Sequence, residues 1–68
     1  MEFFKKYLNQ AVSVKYSNEI RFTGILRAID GYLNVCLEDC TFIKKEEEKK
    51  LKHCFLRGPQ VKHIEIED

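Results

Sequence analysis

The stretch AIDGYLN, residues 28–34, sets a tyrosine and an asparagine two positions apart, just past an Asp-Gly turn signal. Asn34 carries a donor and an acceptor in one planar amide, the pattern needed to read the edge of an unpaired nucleobase. The same amide can instead close an Asx-type bond to nearby backbone. Tyr32 offers a flat π face, usable for stacking or for packing at a strand end. Far along the chain, LRG brings Arg57, whose guanidinium can lie flat on a ring, next to Gly58, where backbone can come close. A surface arginine paired with an acid is the plainer alternative. Asp30 would repel phosphate, so it suits a supporting role, accepting hydrogen bonds from Asn34 or from backbone amides while Gly31 forms the turn.

Other reactive residues point elsewhere. Cys36, Cys40, His53 and Cys54 invite a metal reading, yet Cys-x3-Cys followed by a distant His-Cys pair is poor finger spacing. His53 and Cys54, being adjacent, face opposite sides of a strand, and buried thiols account for these cysteines better. No serine or cysteine has a histidine and an acid at a recognisable motif spacing, and no glycine loop suits a phosphate. Neither catalysis, a metal, a cofactor nor a small-molecule substrate is therefore expected.

The elements that must position these residues follow from periodicity. EFFKKYL places Phe3, Phe4, Tyr7 and Leu8 on one face, which predicts a short helix over about 2–9. Val12, Val14 and Tyr16 alternate with Ser13 and Lys15, then Ser17, Asn18 and Glu19 supply a turn, and Ile20, Phe22 and Leu26 resume the alternation, which predicts a hairpin. Gly24 within the second strand marks a bend, a bulge or a close backbone approach. LNVCLEDCTFI reads as a third strand with Leu33, Val35 and Leu37 on one face, and Asp30-Gly31 as the turn before it. The run KKEEEKK, 44–50, has no apolar face and is expected to be a solvated, mobile hairpin tip. KHCFLRG and PQVKHIEI read as two more strands, the last beginning after Pro59, which has no amide to donate. The expected fold class is mostly β: a short N-terminal helix, then about five antiparallel strands closing toward a small barrel.

Composition narrows the function classes. Sixty-eight residues suit one small domain whose core needs a second source of stability. The three cysteines are odd in number and no secretory signal pattern opens the chain, so a disulfide framework is not expected and a reducing, intracellular setting is. No apolar run approaches the roughly 18 residues of a membrane-spanning helix. With 12 basic against 11 acidic side chains and a net charge of +1, any nucleic-acid contact must be local or shared among subunits.

Two blocks together resemble a known family. Gly24, Asp30, Leu33 and Asn34 match the first motif of the Sm and Sm-like (Lsm) RNA-binding proteins, and Leu56, Arg57, Gly58 and Val61 match the second. The order and spacing are fairly specific, and the likeness covers nearly the whole chain as one domain, 1–68, with the first motif over about 11–40 and the second over about 53–66. FFKKYLNQAV and KHCFLRGPQVKHIEI are most similar to the second-subunit branch of eukaryotic Lsm rings. Leu56 and Pro59 depart from the usual pattern.

The resemblance implies a strongly bent five-stranded antiparallel sheet, an Sm-like open barrel, that joins other Sm-like subunits into a heptameric ring through its edge strands. Such strand addition would hide the open edges and supply the missing stability. It further implies that Tyr32 stacks on a base toward the pore, that Asn34 reads its edge, and that Arg57 covers its other face, with Asp30, Gly31 and Gly58 supporting the loops. The ligand would be uridine-rich single-stranded RNA, one nucleotide per subunit, in a nuclear splicing ring, a cytoplasmic mRNA-decay ring, or both. An architectural subunit without its own base pocket, and a homo-oligomeric protein of archaeal type, remain the alternatives.

Overall fold

The computed structural model describes residues 5–17 and 19–67. Strong β-formers in alternation give five strands: β1 (Ala11–Tyr16), β2 (Ile20–Ile29), β3 (Val35–Lys44), β4 (Glu47–Leu56) and β5 (Val61–Ile66). They form one antiparallel sheet of order β4-β3-β2-β1-β5. β4 and β5 are thus its two edges, brought there because β5 crosses back to pair with β1.

The alternation seen in sequence decides which side chains meet inside. Val12 and Val14 of β1, Leu26 of β2, Val35, Leu37 and Cys40 of β3, Cys54 and Leu56 of β4 and Ile64 of β5 make the core. Each fully buried valine or leucine contributes about 1.5–3 kcal/mol. Ser13, on the opposite parity from Val12 and Val14, is buried as well.

The bend has a local cause at Gly24. A Cβ there would lie 3.0 Å from Cβ of Cys40 and 3.0 Å from the carbonyl oxygen of Glu38, so any larger residue would press β2 and β3 apart by a few tenths of an ångström. The pairing register shifts between Thr23 and Ile25, and again between Leu26 and Ala28, as expected where bulges curl a sheet.

Two expectations need correction, and a third falls partly outside the described residues. The charged run 44–50 is the exposed tip of a hairpin, as expected, but its loop is only two residues long: β3 continues to Lys44, the chain turns at Lys45 and Glu46 with Lys45 left-handed (φ 55°), and β4 begins at Glu47. The ladder with β3 pairs the inward-facing backbone groups of these residues whatever their side chains, and Lys50 Nζ donates to Thr41 Oγ1 at 3.2 Å. Charged side chains suit an edge strand in any case.

The helix expected over about 2–9 lies partly outside the described residues, at 2–4, and Lys5, the first described residue, is helical. Residues 6–9 form turns, with Leu8 N–H donating to Lys5 O and Gln10 N–H to Tyr7 O, both at 3.1 Å. Backbone bonds then tie the following residues to β2: Asn9 N–H donates to Leu26 O at 2.7 Å, and Leu26 N–H to Gln10 O at 3.0 Å.

Leu33 does not share a strand face with Val35 and Leu37. It precedes β3 in the left-handed region, φ 64°, while no described glycine has positive φ. Gly31 and Tyr32 form the turn expected from the Asp-Gly signal, closed by Leu33 N–H to Asp30 O, and Leu33 adds the left-handed step that leads into β3.

Candidate nucleic-acid interface

The loop between β2 and β3 is organised by one carboxylate. Asp30 Oδ1 accepts from the Tyr32 amide at 2.8 Å and from the Asn34 amide at 3.0 Å, while Oδ2 accepts from Asn34 Nδ2 at 3.0 Å. The Asn34 side chain, then the Asn34 and Tyr32 amides, hold the Asp30 carboxyl below its usual range. Backbone bonds from Asp30 N–H to Asn34 O and from Leu33 N–H to Asp30 O close the same loop. This multiply bonded turn offsets the strain of a left-handed leucine.

The second loop is tied to the first through Asn34. Its Oδ1 accepts from the Gly58 amide at 2.7 Å, joining segments 24 residues apart. Glycine is required there: a Cβ on residue 58 would sit 1.6 Å from the Tyr32 carbonyl oxygen. Gly58, Pro59 and Gln60 form a short 3-10 turn, and Arg57 before it is extended at φ −81°. Leu56, anchored in the core, fixes where Arg57 leaves β4.

The structure thus brings Asp30, Asn34 and Gly58 into one bonded unit and places Tyr32 and Arg57, both exposed, on its two loops. Tyr32 is 82% exposed and is not core packing. Asn34 spends one N–H and one lone pair inside the protein, leaving an N–H and a lone pair for a ligand. Gly31 is exposed in the turn.

Beside this unit lies a concavity of about 410 Å³ whose wall includes Asn34, Arg57, Ala28, Cys36 and Phe55. Phe55, 80% exposed, was overlooked in the sequence, although inward Cys54 and Leu56 force its side chain outward. A second unforeseen feature lies on the Arg27 side chain: Nε donates to Glu38 Oε1 and Nη1 to Asn9 Oδ1, both at 2.6 Å, pinning the N-terminal turns to the sheet. That guanidinium holds the Glu38 carboxyl below its ordinary range.

The cysteines sit apart from the loops in two environments. Cys40 and Cys54 are buried with their Sγ atoms 2.8 Å apart, and burial, followed by contact with Cys40, pushes the Cys54 thiol up to about 12. Cys36 is half-buried, and His53 is exposed while Cys54 points inward. Among the described residues no three such groups converge to hold a metal ion, and no helix is long and apolar enough to cross a membrane.

A bent five-stranded antiparallel sheet whose two loops are locked by an Asp-Asn-Gly unit has the architecture of the Sm proteins. A heptameric archaeal Sm protein superposes with a TM-score of 0.90 at 26% identity over the whole of both chains. An Sm protein of Pyrococcus abyssii, solved in complex with a uridine heptamer, superposes with a TM-score of 0.89 at 28% identity, covering 97% of this chain and 94% of that one. The chain belongs to the LSM domain family, whose pattern matches residues 2–66. Among its relatives is a U6 snRNA-associated Sm-like protein LSm2 of Dictyostelium discoideum, 33% identical over 94% of this chain and 57% of its own length. A U6 snRNA-associated Sm-like protein LSm6 of Sclerotinia sclerotiorum is 36% identical over 97% of this chain and 79% of its own. The likeness is therefore shared between the LSm2 and LSm6 branches.

Proposed function

We propose that this protein is a subunit of a heptameric Sm-like ring that binds uridine-rich single-stranded RNA, with Tyr32 and Arg57 stacking on a base and Asn34 reading its edge. The observation that carries this reading is the bond from the Gly58 amide to Asn34 Oδ1, which joins the two loops while leaving Tyr32 and Arg57 exposed. The likeness to an Sm protein solved with a uridine heptamer and to a heptameric archaeal Sm protein supports both the ligand and the assembly.

The chemistry suits the ligand. Uracil presents a flat ring and a mixed donor-acceptor edge, and the unspent N–H and lone pair of Asn34 match that edge. Single sites of this kind are weak, and a ring repeats them along one strand so that they act together. The open edges β4 and β5 supply the assembly surface through strand addition. Binding, not catalysis, is the role.

The relatives named for U6 snRNA association support a role with a small nuclear RNA. We place that role at the RNA's 3′ end in the nucleus, with cytoplasmic mRNA decay as the other setting. The experiment is a titration of the assembled protein with fluorescently labelled oligouridine. Tyr32→Ala and Arg57→Ala should each weaken binding. Unchanged affinity in both would leave an architectural subunit as the better description.

A further inference from the structure

The 410 Å³ concavity extends beyond the bonded loop unit onto the sheet, and Tyr32 does not line it. Its floor is a cross-strand row. Ala28 of β2 lies opposite Cys36 of β3, and Cys36 opposite Phe55 of β4, so the three side chains share one face of the sheet. Two strand spacings make this row about 10 Å wide. The small side chains of Ala28 and Cys36 leave room beside the ring of Phe55, and Asn34 and Arg57 form the rim. The volume falls within the range of about 300–1,000 Å³ typical of clefts that hold small flat ligands.

We propose that Ala28, Cys36 and Phe55 form a second nucleobase shelf, which takes the base of the nucleotide next to the one held by Asn34. This rests on the RNA-binding reading above and extends it from one nucleotide per subunit to two. Phe55 has no polar handle, and the shelf offers stacking and apolar contact without reading a base edge, so it accepts any base. A neighbouring subunit does not suit the shelf as well. A strand added to β4 would set side chains beside Phe55 on its outer side only, whereas the shelf reaches inward to β2 and opens onto Asn34 and Arg57.

Cys36 provides a probe that is independent of binding energies. It is half-buried in the shelf wall, whereas Cys40 and Cys54 are buried in the core and serve as internal controls. The assembled protein is alkylated with iodoacetamide with and without saturating oligouridine, and modification at each cysteine is followed by mass spectrometry. Oligouridine should slow labelling of Cys36 at least about fivefold and leave the two buried cysteines unchanged.

Two substitutions complete the test. Phe55→Leu keeps an apolar side chain and removes the ring, and Ala28→Leu fills the shelf from an exposed position without touching the β4 edge. Both should assemble as the parent does and weaken oligouridine binding about 5-fold to 100-fold, the range expected for a lost base stack. The parent's affinity should also keep rising with oligouridine length beyond one nucleotide per subunit, and that of Phe55→Leu should not. If oligouridine binds but Cys36 labelling and the affinity of both variants are unchanged, the shelf is empty and the proposal fails. If assembly alone protects Cys36 and Phe55→Leu breaks the assembly, Phe55 is a subunit contact and the proposal fails in that way. A parent that binds no oligouridine would overturn the underlying RNA reading, an outcome visible before any variant is compared.

Discussion

Asn34 and Gly58 are joined by a single 2.7 Å hydrogen bond from the Gly58 amide to the asparagine Oδ1, and Tyr32 carries the carbonyl that leaves residue 58 no room for a side chain. The two loops that hold the exposed Tyr32 and Arg57 thus meet by backbone contact rather than by side-chain packing. Changes in this contact should therefore be felt both in stability and at the ligand surface.

Gly58→Ala places a methyl group 1.6 Å from the Tyr32 carbonyl oxygen, so backbone must move. We expect a loss of about 1–3 kcal/mol or more in urea unfolding, as for an overpacked site. The displaced Tyr32 loop should also lower oligouridine affinity beyond what the fraction unfolded explains.

Asn34→Ala should leave the buried Gly58 amide without its acceptor and cost about 1–3 kcal/mol. Asn34→Asp keeps that acceptor but sets a second carboxylate against Asp30, where Nδ2 now donates at 3.0 Å. Its stability should be lower than the parent's at neutral pH and recover as acid protonates one of the pair. In the parent the sign is opposite. The Asp30 carboxyl is depressed, so its support for the loop is fully present above its ordinary value of 3.8 and is lost as pH falls through the lower folded value. Amide chemical shifts of Tyr32 and Asn34, followed from pH 7 downward, should move together in that acidic window.

Cys54 titrates in the other direction. Its thiol is raised from 9.0 to about 12 by burial and by Cys40, so the neutral form's contribution is complete below pH 9 and is lost as pH rises toward 12. The pH dependence of urea midpoints in that range should be steeper for the parent than for Cys54→Ala. Equal slopes would mean that the thiol ionises without penalty in the folded protein.

Tyr32→Phe separates stacking from any use of the phenol hydroxyl. We expect Tyr32→Phe to bind oligouridine like the parent and Tyr32→Ala to lose about 1–3 kcal/mol per base. Arg57→Ala should lower affinity too, and the slope of affinity against salt should shrink if the guanidinium also neutralises a phosphate.

Much of this was legible in the sequence because strand alternation is a local signal. Val12, Val14, Leu26, Val35 and Leu37 fall on the inner faces that the alternation marks, although it also counted Leu33 with them, and Gly24 is the close approach that its position within a strand signals. Spacing also singled out Asp30, Asn34, Arg57 and Gly58. Local patterning failed where a partner strand overrode it: residues 47–50 look like loop by composition, yet the β3 ladder makes them strand.

By itself, the sequence determined the number and parity of the strands and the family to which they belong, because side-chain period and motif spacing need no knowledge of the partner. Only the tertiary structure decided that Leu33 takes the left-handed step into β3, that Asn34 bonds Gly58 across 24 residues, and that Phe55 stands exposed above Cys36 and Ala28. Each of these depends on which strands lie side by side and in what register, and pairing between distant segments leaves no mark in either segment read alone.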